Sequence, residues 1–259
     1  MVPGYGQPIL MPVGKNVTAF RLGDEVFGGF EDRGTLAEYI SIHQDSVVRT
    51  KPANLTFGQA RSYRWRQPPP CRRSATRGTS VPARGAGHGA SGGAGTFAVP
   101  LAKAFGAEVT GVCSTLNAEM VASIGADRVI DYTREDFTRA GRRYDVLVDI
   151  AGNRPLPETR RVLAPKGVLV AVGGPNRGRW IGPLGRSGRM ALVSPAVSQR
   201  MVFFFLAHQN KADLAVLREL LETGKVTPVI DRTYPLSETA EAMRYLERGH
   251  AQGKVVITM

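Results

Sequence analysis

The sequence predicts an α/β protein built on a doubly wound parallel sheet, with a smaller β-rich module ahead of it. Three observations carry this. A glycine-rich turn, Gly89-Ala90-Ser91-Gly92-Gly93-Ala94-Gly95, opens a helical stretch. Downstream, short apolar runs alternate with helical stretches from Glu108 to Gly174, the pattern of parallel strands joined by right-handed crossovers. Upstream, from Val13, short β-prone pieces are punctuated by Gly and Asp, as in strands joined by tight turns.

Met1 to Pro12 carry no clear period. The β-prone run covers Val13 to Gly28 and resumes at Gly34-Thr35-Leu36-Ala37-Glu38-Tyr39-Ile40; Lys51-Pro52-Ala53-Asn54-Leu55-Thr56 then leads toward a helix. From Arg61 to Ala86 the character changes. This stretch has neither a helical nor a strand period, and between Arg61 and His88 it holds seven arginines and no acid. Three readings compete: a disordered basic linker, an RNA-binding arm stacking bases on Tyr63 and Trp65, and a stretch read in the wrong frame that keeps its length and loses its meaning. The frame change is favoured and the nucleic-acid arm least, because aperiodic Arg/Pro-rich sequence marks disorder more often than recognition. Val81 to His88 reads as a poor buried strand, since central parallel strands are near-continuous Val/Ile/Leu runs that exclude proline.

Beyond the glycine turn the alternation is regular. The first helix ends at Gly106, a natural residue just past a helix end, and Pro100 inside it should produce a kink. Strands are expected at Glu108–Cys113, Val129–Tyr132, Tyr144–Ile150 and Gly167–Gly174, with helices over Ala118–Ile124, closed by Gly125, and Leu156–Leu163. In the C-terminal part, Asp213–Glu222 is an amphipathic helix stopped by Gly224, Pro228-Val229-Ile230 starts a return strand, and Ser237–Glu247 reads as a capped helix.

With 259 residues, 42% of them hydrophobic, the chain can bury two cores. It has no apolar run long enough to span a bilayer and no signal-peptide pattern, so a soluble cytoplasmic protein is expected. Cys71 and Cys113 form neither metal-ligand spacing nor a disulfide framework, and His43, His88, His208 and His250 pair with neither at ligand spacing. No metal site follows. The net charge of +12 and pI near 10.2 suggest nucleic acid at first sight. The seven arginines of the aperiodic segment account for most of it, leaving +5 elsewhere. A nucleic-acid partner is therefore disfavoured.

In a doubly wound sheet, ligands bind outside the carboxyl ends of the strands. Against G-x-G-x-x-G, Ala90 takes the first position, Gly92 the second and Gly95 the third: the second lets backbone approach a pyrophosphate, the third lets the helix pack close, and the helix start offers N–H groups and a positive dipole end. The other strand ends carry Ser114-Thr115-Leu116-Asn117, Tyr132, Ala151-Gly152-Asn153 and Gly173-Gly174-Pro175. Such a set suits a dinucleotide lying across the sheet; its bland alternative is that small residues simply make turns. The second strand's end holds no acid to bind a ribose diol, while its hydroxyls can donate to a 2′-phosphate, so NADP(H) is preferred over NAD(H).

These motifs resemble the medium-chain dehydrogenase/reductase family. The run Gly14-x-x-Val17-x-x-Phe20-x-x-Gly23-Asp24-x-Val26-x-Gly28, followed by Gly34-x-x-Ala37-Glu38-Tyr39, is similar to its catalytic-domain segment. The glycine turn, Gly125-Ala126-Asp127 with Val129-Ile130-Asp131-Tyr132, Tyr144-Asp145 with Asp149, and the closing Gly253-Lys254-Val255-Val256-Ile257 look like its zinc-free quinone oxidoreductase branch. The match covers Val13 to Gln59 and Gly89 to Met259. It implies a partial GroES-like catalytic domain over 1–60, the anomalous segment at 61–85, a Rossmann domain over 86–225, and a return to the catalytic domain over 226–259. It also implies a cofactor groove lined by Ala90, Ser91, Gly92, Gly93, Ala94, Gly95, Ser114, Thr115, Asn117, Tyr132, Ala151, Gly152, Gly173, Gly174, Phe203 and Phe204, with Lys254 reaching a phosphate.

The activity so implied is metal-free hydride transfer between NADP(H) and a small-molecule substrate, a quinone or α,β-unsaturated carbonyl. Conjugation in such an acceptor spreads the developing negative charge, while the nicotinamide carries the hard step. The family tends to dimerise. No catalytic side chain can be named, and no Tyr-x-x-x-Lys pair occurs. The resemblance further implies a chain that starts several dozen residues late and an Arg/Pro segment standing in place of a central strand, so the alternative is a non-catalytic nucleotide-binding remnant.

Overall fold

The computed structural model describes residues 14–28, 41–61, 84–172, 198–203 and 211–258. The Arg/Pro-rich stretch at 62–83, the run Gly34–Ile40, and Cys71, Gly173, Gly174, Phe204 and His208 lie outside these ranges. The chain divides into two compact units, Met1–Arg66 with His208–Met259, and Gln67–Ala207.

The second unit holds strands β3 (Arg84–His88), β4 (Glu108–Cys113), β5 (Arg128–Asp131), β6 (Tyr144–Asp149), β7 (Leu163–Ala171) and β8 (Arg200–Phe203). They form one six-stranded sheet in the order β5-β4-β3-β6-β7-β8, with every neighbouring pair parallel. This is the Rossmann arrangement, in which strand order reverses beside the first strand. Crossover helices are α2 (Gly95–Ala104), α3 (Ala118–Ser123) and α4 (Leu156–Arg161); α1 (Phe57–Arg61) belongs to the first unit.

The central strand corrects the sequence reading. Arg84-Gly85-Ala86-Gly87-His88 is not a poor strand: it pairs with β4 from Arg84↔Glu108 to His88↔Val112 and with β6 from Gly85↔Val146 to His88↔Asp149. A strand between two others must supply N–H and C=O groups, which any residue but proline can do, and Pro82 precedes it. The apolar bulk comes from the neighbours instead. On one face of the sheet, Val109 and Cys113 pack with Ala90, Val99 of α2 and Val121 of α3. On the other, Val112, Ile130 and Leu147 pack with Ala86, Phe137, Val162 and Leu169.

Helix α2 continues through Pro100, which lies buried inside it. Proline removes one N–H and leaves the flanking bonds available, and Phe105 N still donates to Leu101 O at 3.1 Å. The helix stops as expected: Gly106 adopts φ +79, and Ala107 N donates to Ala102 O at 3.0 Å, closing a left-handed C-terminal cap.

In the first unit, β1 (Val26–Gly28) pairs antiparallel with β2 (Val48–Thr50). Lys51 reaches Glu25 at 3.0 Å and the Leu55 carbonyl at 2.6 Å. Helix α5 (Lys211–Glu222) buries Leu214, Leu217, Leu220 and Leu221. Asn54 Nδ2 donates to Leu221 O at 2.9 Å, a bond within this unit. Strand β9 (Ile230–Pro235) pairs parallel with β10 (Lys254–Thr258). Helix α6 (Thr239–Glu247) begins at Thr239 with no side-chain cap bond, so Ser237 does not cap it; a 3₁₀ turn over Leu236–Glu238 precedes it instead.

Candidate dinucleotide-binding site

The chain leaves β3 toward β4 on one side and comes back as β6 on the other, so the ends of β3 and β6 flank the topological switch point where such sheets bind ligands. The glycine turn starts there. Gly89 takes φ +91, and the amides of Gly89 and Ala90 both donate to Val112 O at 3.1 Å. A Cβ on Gly95 would lie 2.3 Å from Gly89 O and 2.4 Å from Ala90 O, so the third glycine allows the close packing the motif requires. A Cβ on Gly92 would meet only Gly89 O, at 3.8 Å. Ser91, Gly92 and Gly93 are half-buried and Ala94 is exposed. Ala90 is fully buried among Val99, Val109, Cys113 and Val121, so its side chain is a packing group and only its backbone shapes the turn.

At the end of β4, a 3₁₀ turn spans Thr115–Asn117. Asn117 Nδ2 donates to Ser114 Oγ at 3.2 Å, while Asn117 Oδ1 is buried without a partner. Leu116 and Tyr132 are exposed, and Tyr132 N donates to Cys113 O at 3.0 Å. Register places Asp131 beside Cys113. Thr115 Oγ1 donates to the Asp131 carboxylate, and so do Thr133 N at 2.9 Å and Thr133 Oγ1 at 2.7 Å. The Thr115 hydroxyl foremost, then Thr133, hold this carboxyl below its ordinary value, against an opposing contribution from burial. A carboxylate from β5 therefore stands beside the end of β4. Its only cue in the sequence is an Asp closing the next strand.

At the end of β6, Asp149 lies against His88 in full burial, Oδ1 to Nδ1 at 2.9 Å. The same Oδ1 accepts from Gly152 N at 2.9 Å. His88 O accepts from Ile150 N at 2.9 Å and Ala151 N at 3.2 Å. Spacing along the chain assigns this pair no role, although both residues close strands at the switch point.

The structure thus brings together the glycine turn, Ser114, Thr115, Asn117, Tyr132, Ala151 and Gly152 at one edge of one sheet. Phe203 closes β8 opposite Ala171, and Lys254 opens β10 in the first unit; Gly173, Gly174 and Phe204 lie outside the described residues. A dinucleotide fits these residues: an approach at Gly92 that meets little, the start of the ten-residue helix α2 for a pyrophosphate, and an unpartnered acceptor at Asn117. Cys113 is buried in the core, and burial, then the Asp131 charge, push its thiol up to about 11. Among the described residues no cluster of three His, Cys, Asp or Glu side chains could hold a metal ion, and no helix is long and apolar enough to cross a membrane.

A family model described as zinc-binding dehydrogenase matches residues 124–257, just over half of the chain. A 2-methylene-furan-3-one reductase from Solanum lycopersicum is 32% identical over 274 residues, covering 99% of this chain and 63% of the relative. An NADPH-dependent alkenal/one oxidoreductase of Arabidopsis thaliana chloroplasts is 31% identical over 99% of this chain and 63% of its own length. The chain therefore spans less than two thirds of the length of these curated relatives. A solved quinone oxidoreductase from Coxiella burnetii superposes with TM-score 0.76 at 28% identity, over 95% of this chain and 75% of that one. With the strand order, the switch-point turn and these likenesses in agreement, the chain belongs to the zinc-binding dehydrogenases of the medium-chain dehydrogenase/reductase family, on its quinone oxidoreductase branch.

Proposed function

We propose that the chain binds NADP(H), with NAD(H) as its second choice, across the ends of β3, β4 and β6, and serves hydride transfer to or from a quinone or α,β-unsaturated carbonyl. The observation that carries this reading is the close turn-to-helix packing at Gly95, placed at the switch point of a parallel sheet. The nicotinamide, when bound, supplies or accepts the hydride. The chain's residues bind and orient: the turn and the start of α2 take the pyrophosphate, Thr115 with Asp131 faces the ribose, and Ala151 with Gly152 borders the crevice.

Two named relatives act on, or are named for, conjugated carbonyls, which supports the substrate class. The preference for NADP(H) rests on the name of one of them, because Asp131 already engages the Thr115 hydroxyl that was expected to receive a 2′-phosphate. We read the reaction as zinc-independent, supported by the burial of Cys113 in the core. A cytoplasmic homodimer completes the reading; a free buried thiol at Cys113 suits a reducing compartment. The remnant alternative loses one of its grounds, since the central strand is paired on both edges.

Fluorescence titration with NADPH and NADH, combined with thermal unfolding, tests the proposal. Saturable binding with a raised melting temperature is expected. Cooperative unfolding without any binding would overturn it.

A further inference from the structure

The buried pair His88 and Asp149 has no part in the contacts assigned so far. We propose that it is a clamp that positions the crevice: through one carboxylate oxygen, Asp149 ties the end of β3 to the loop Ile150–Gly152 and fixes that loop against the glycine turn. The clamp itself stands on geometry alone; its consequence for nucleotide affinity rests on the function proposed above.

Four contacts converge at this point. Asp149 Oδ1 accepts from His88 Nδ1 and from Gly152 N, each at 2.9 Å. His88 O accepts from Ile150 N and Ala151 N at 2.9 and 3.2 Å. A Cβ on Gly89 would lie 3.2 Å from Ala151 N and 3.3 Å from Ile150 Cβ, so the loop leaves no free room for a side chain at the start of the turn. The imidazole packs on Phe137 with centroids 4.9 Å apart, which sets its plane. Oδ1 already accepts from Gly152 N, and an Nδ1–H tautomer of His88 donates to the same oxygen.

Burying a carboxylate is costly unless it is fully satisfied. Val146 and Val148, on the same strand, fill core positions at no such cost. What Asp149 supplies that valine cannot is direction: a fixed point for one imidazole N–H and one backbone N–H. Both residues are positioning residues, with no contact to reacting atoms assigned to either.

The test measures amide hydrogen exchange at Gly152 in nucleotide-free protein, and the NADPH dissociation constant, in Asp149→Ala, Asp149→Asn and Leu147→Ala. Leu147 is a fully buried core residue of the same strand and serves as a control for lost stability. The Asp149→Ala change should speed Gly152 exchange and weaken NADPH binding, each by about 10-fold or more, in keeping with the usual effect of removing a supporting partner. Asp149→Asn keeps an acceptor oxygen and should stay within about 3-fold in both. Leu147→Ala should lower the melting temperature yet leave affinity within about 3-fold. If Asp149→Ala does not fold, His88→Leu set against His88→Asn, whose Nδ2 replaces the Nδ1 donor, carries the same comparison. Unchanged Gly152 exchange in the disrupting variant overturns the clamp, as does an equal loss of affinity in Leu147→Ala. Failure of the unsubstituted protein to bind NADPH overturns the functional reading instead, and the exchange data then decide the clamp by themselves.

Discussion

The carbonyl oxygen of Gly89 lies 2.3 Å from the place a Cβ on Gly95 would occupy, so helix α2 starts in contact with the turn that feeds it. Nothing wider than a hydrogen fits there, and the obstacle is backbone, which cannot swing away. Gly95→Ala should therefore cost at least the ~1–3 kcal/mol typical of overpacking and abolish NADPH binding. Gly92→Ala meets its nearest atom at 3.8 Å; it should leave the melting temperature within about 2–4 °C, the shift of a ~1 kcal/mol change in a chain of this size, while weakening NADPH. Thermal unfolding and titration of both variants check this, and equal stability losses would contradict it.

This contrast shows what the sequence made legible. The Gly-rich turn, β4 at Glu108–Cys113 and the helix stop at Gly106 were all readable, because each depends on local pattern or on one residue's backbone freedom. β3 was not. Its residues carry no strand signal, and it exists because β4 and β6 present backbone groups on both sides, a demand set by tertiary structure. Asp131 was missed for a related reason: register across the sheet, not spacing along the chain, puts it beside Cys113. The His88 and Asp149 pair is likewise 61 positions apart in sequence.

Asp131 makes cofactor choice testable. A 2′-phosphate beside Thr115 would face the Asp131 carboxylate, and like charges a few ångströms apart repel by about 1 kcal/mol or more. Asp131→Asn should tighten NADPH relative to NADH by about 10-fold, as read by paired titrations. Its carboxyl is held below the ordinary 3.8, mainly by the Thr115 hydroxyl. A depressed native value stabilises the fold above the unfolded carboxylate range and loses that contribution as pH falls through the native value. The melting temperatures of the two proteins should accordingly converge as pH is lowered below about 4. A constant gap across that range would remove Asp131 from the acid limb.

The tight approach of α3 to the sheet gives a second packing prediction. A Cβ on Gly111 would lie 2.3 Å from Val121 Cγ1 and 3.3 Å from Ala90 Cβ. Gly111→Ala should cost about 1–3 kcal/mol in denaturant unfolding, and Val121→Ala should cost stability through the cavity it leaves. Together they should be less destabilising than the two costs added, since the shortened side chain vacates the volume the new methyl needs. Strict additivity would mean that the helix moves away as a body instead.

Leu116 offers the sharpest test of where the ribose lies. It is 87% exposed, so replacing it removes no core contact, and it sits in the turn with Thr115 at the end of β4. Leu116→Lys puts a cation at that strand end. NADPH should bind about 3- to 10-fold more tightly, the scale of a partly screened charge pair of ~0.5–1.5 kcal/mol. NADH should be unaffected, and the gain should fade in high salt, where exposed charges are screened within a few ångströms. Paired titrations at low and high ionic strength would show this. If NADH gains as much as NADPH, the lysine is acting on the pyrophosphate that both share. The end of β4 would then lie against the phosphates, and the ribose would have to be placed elsewhere along the sheet.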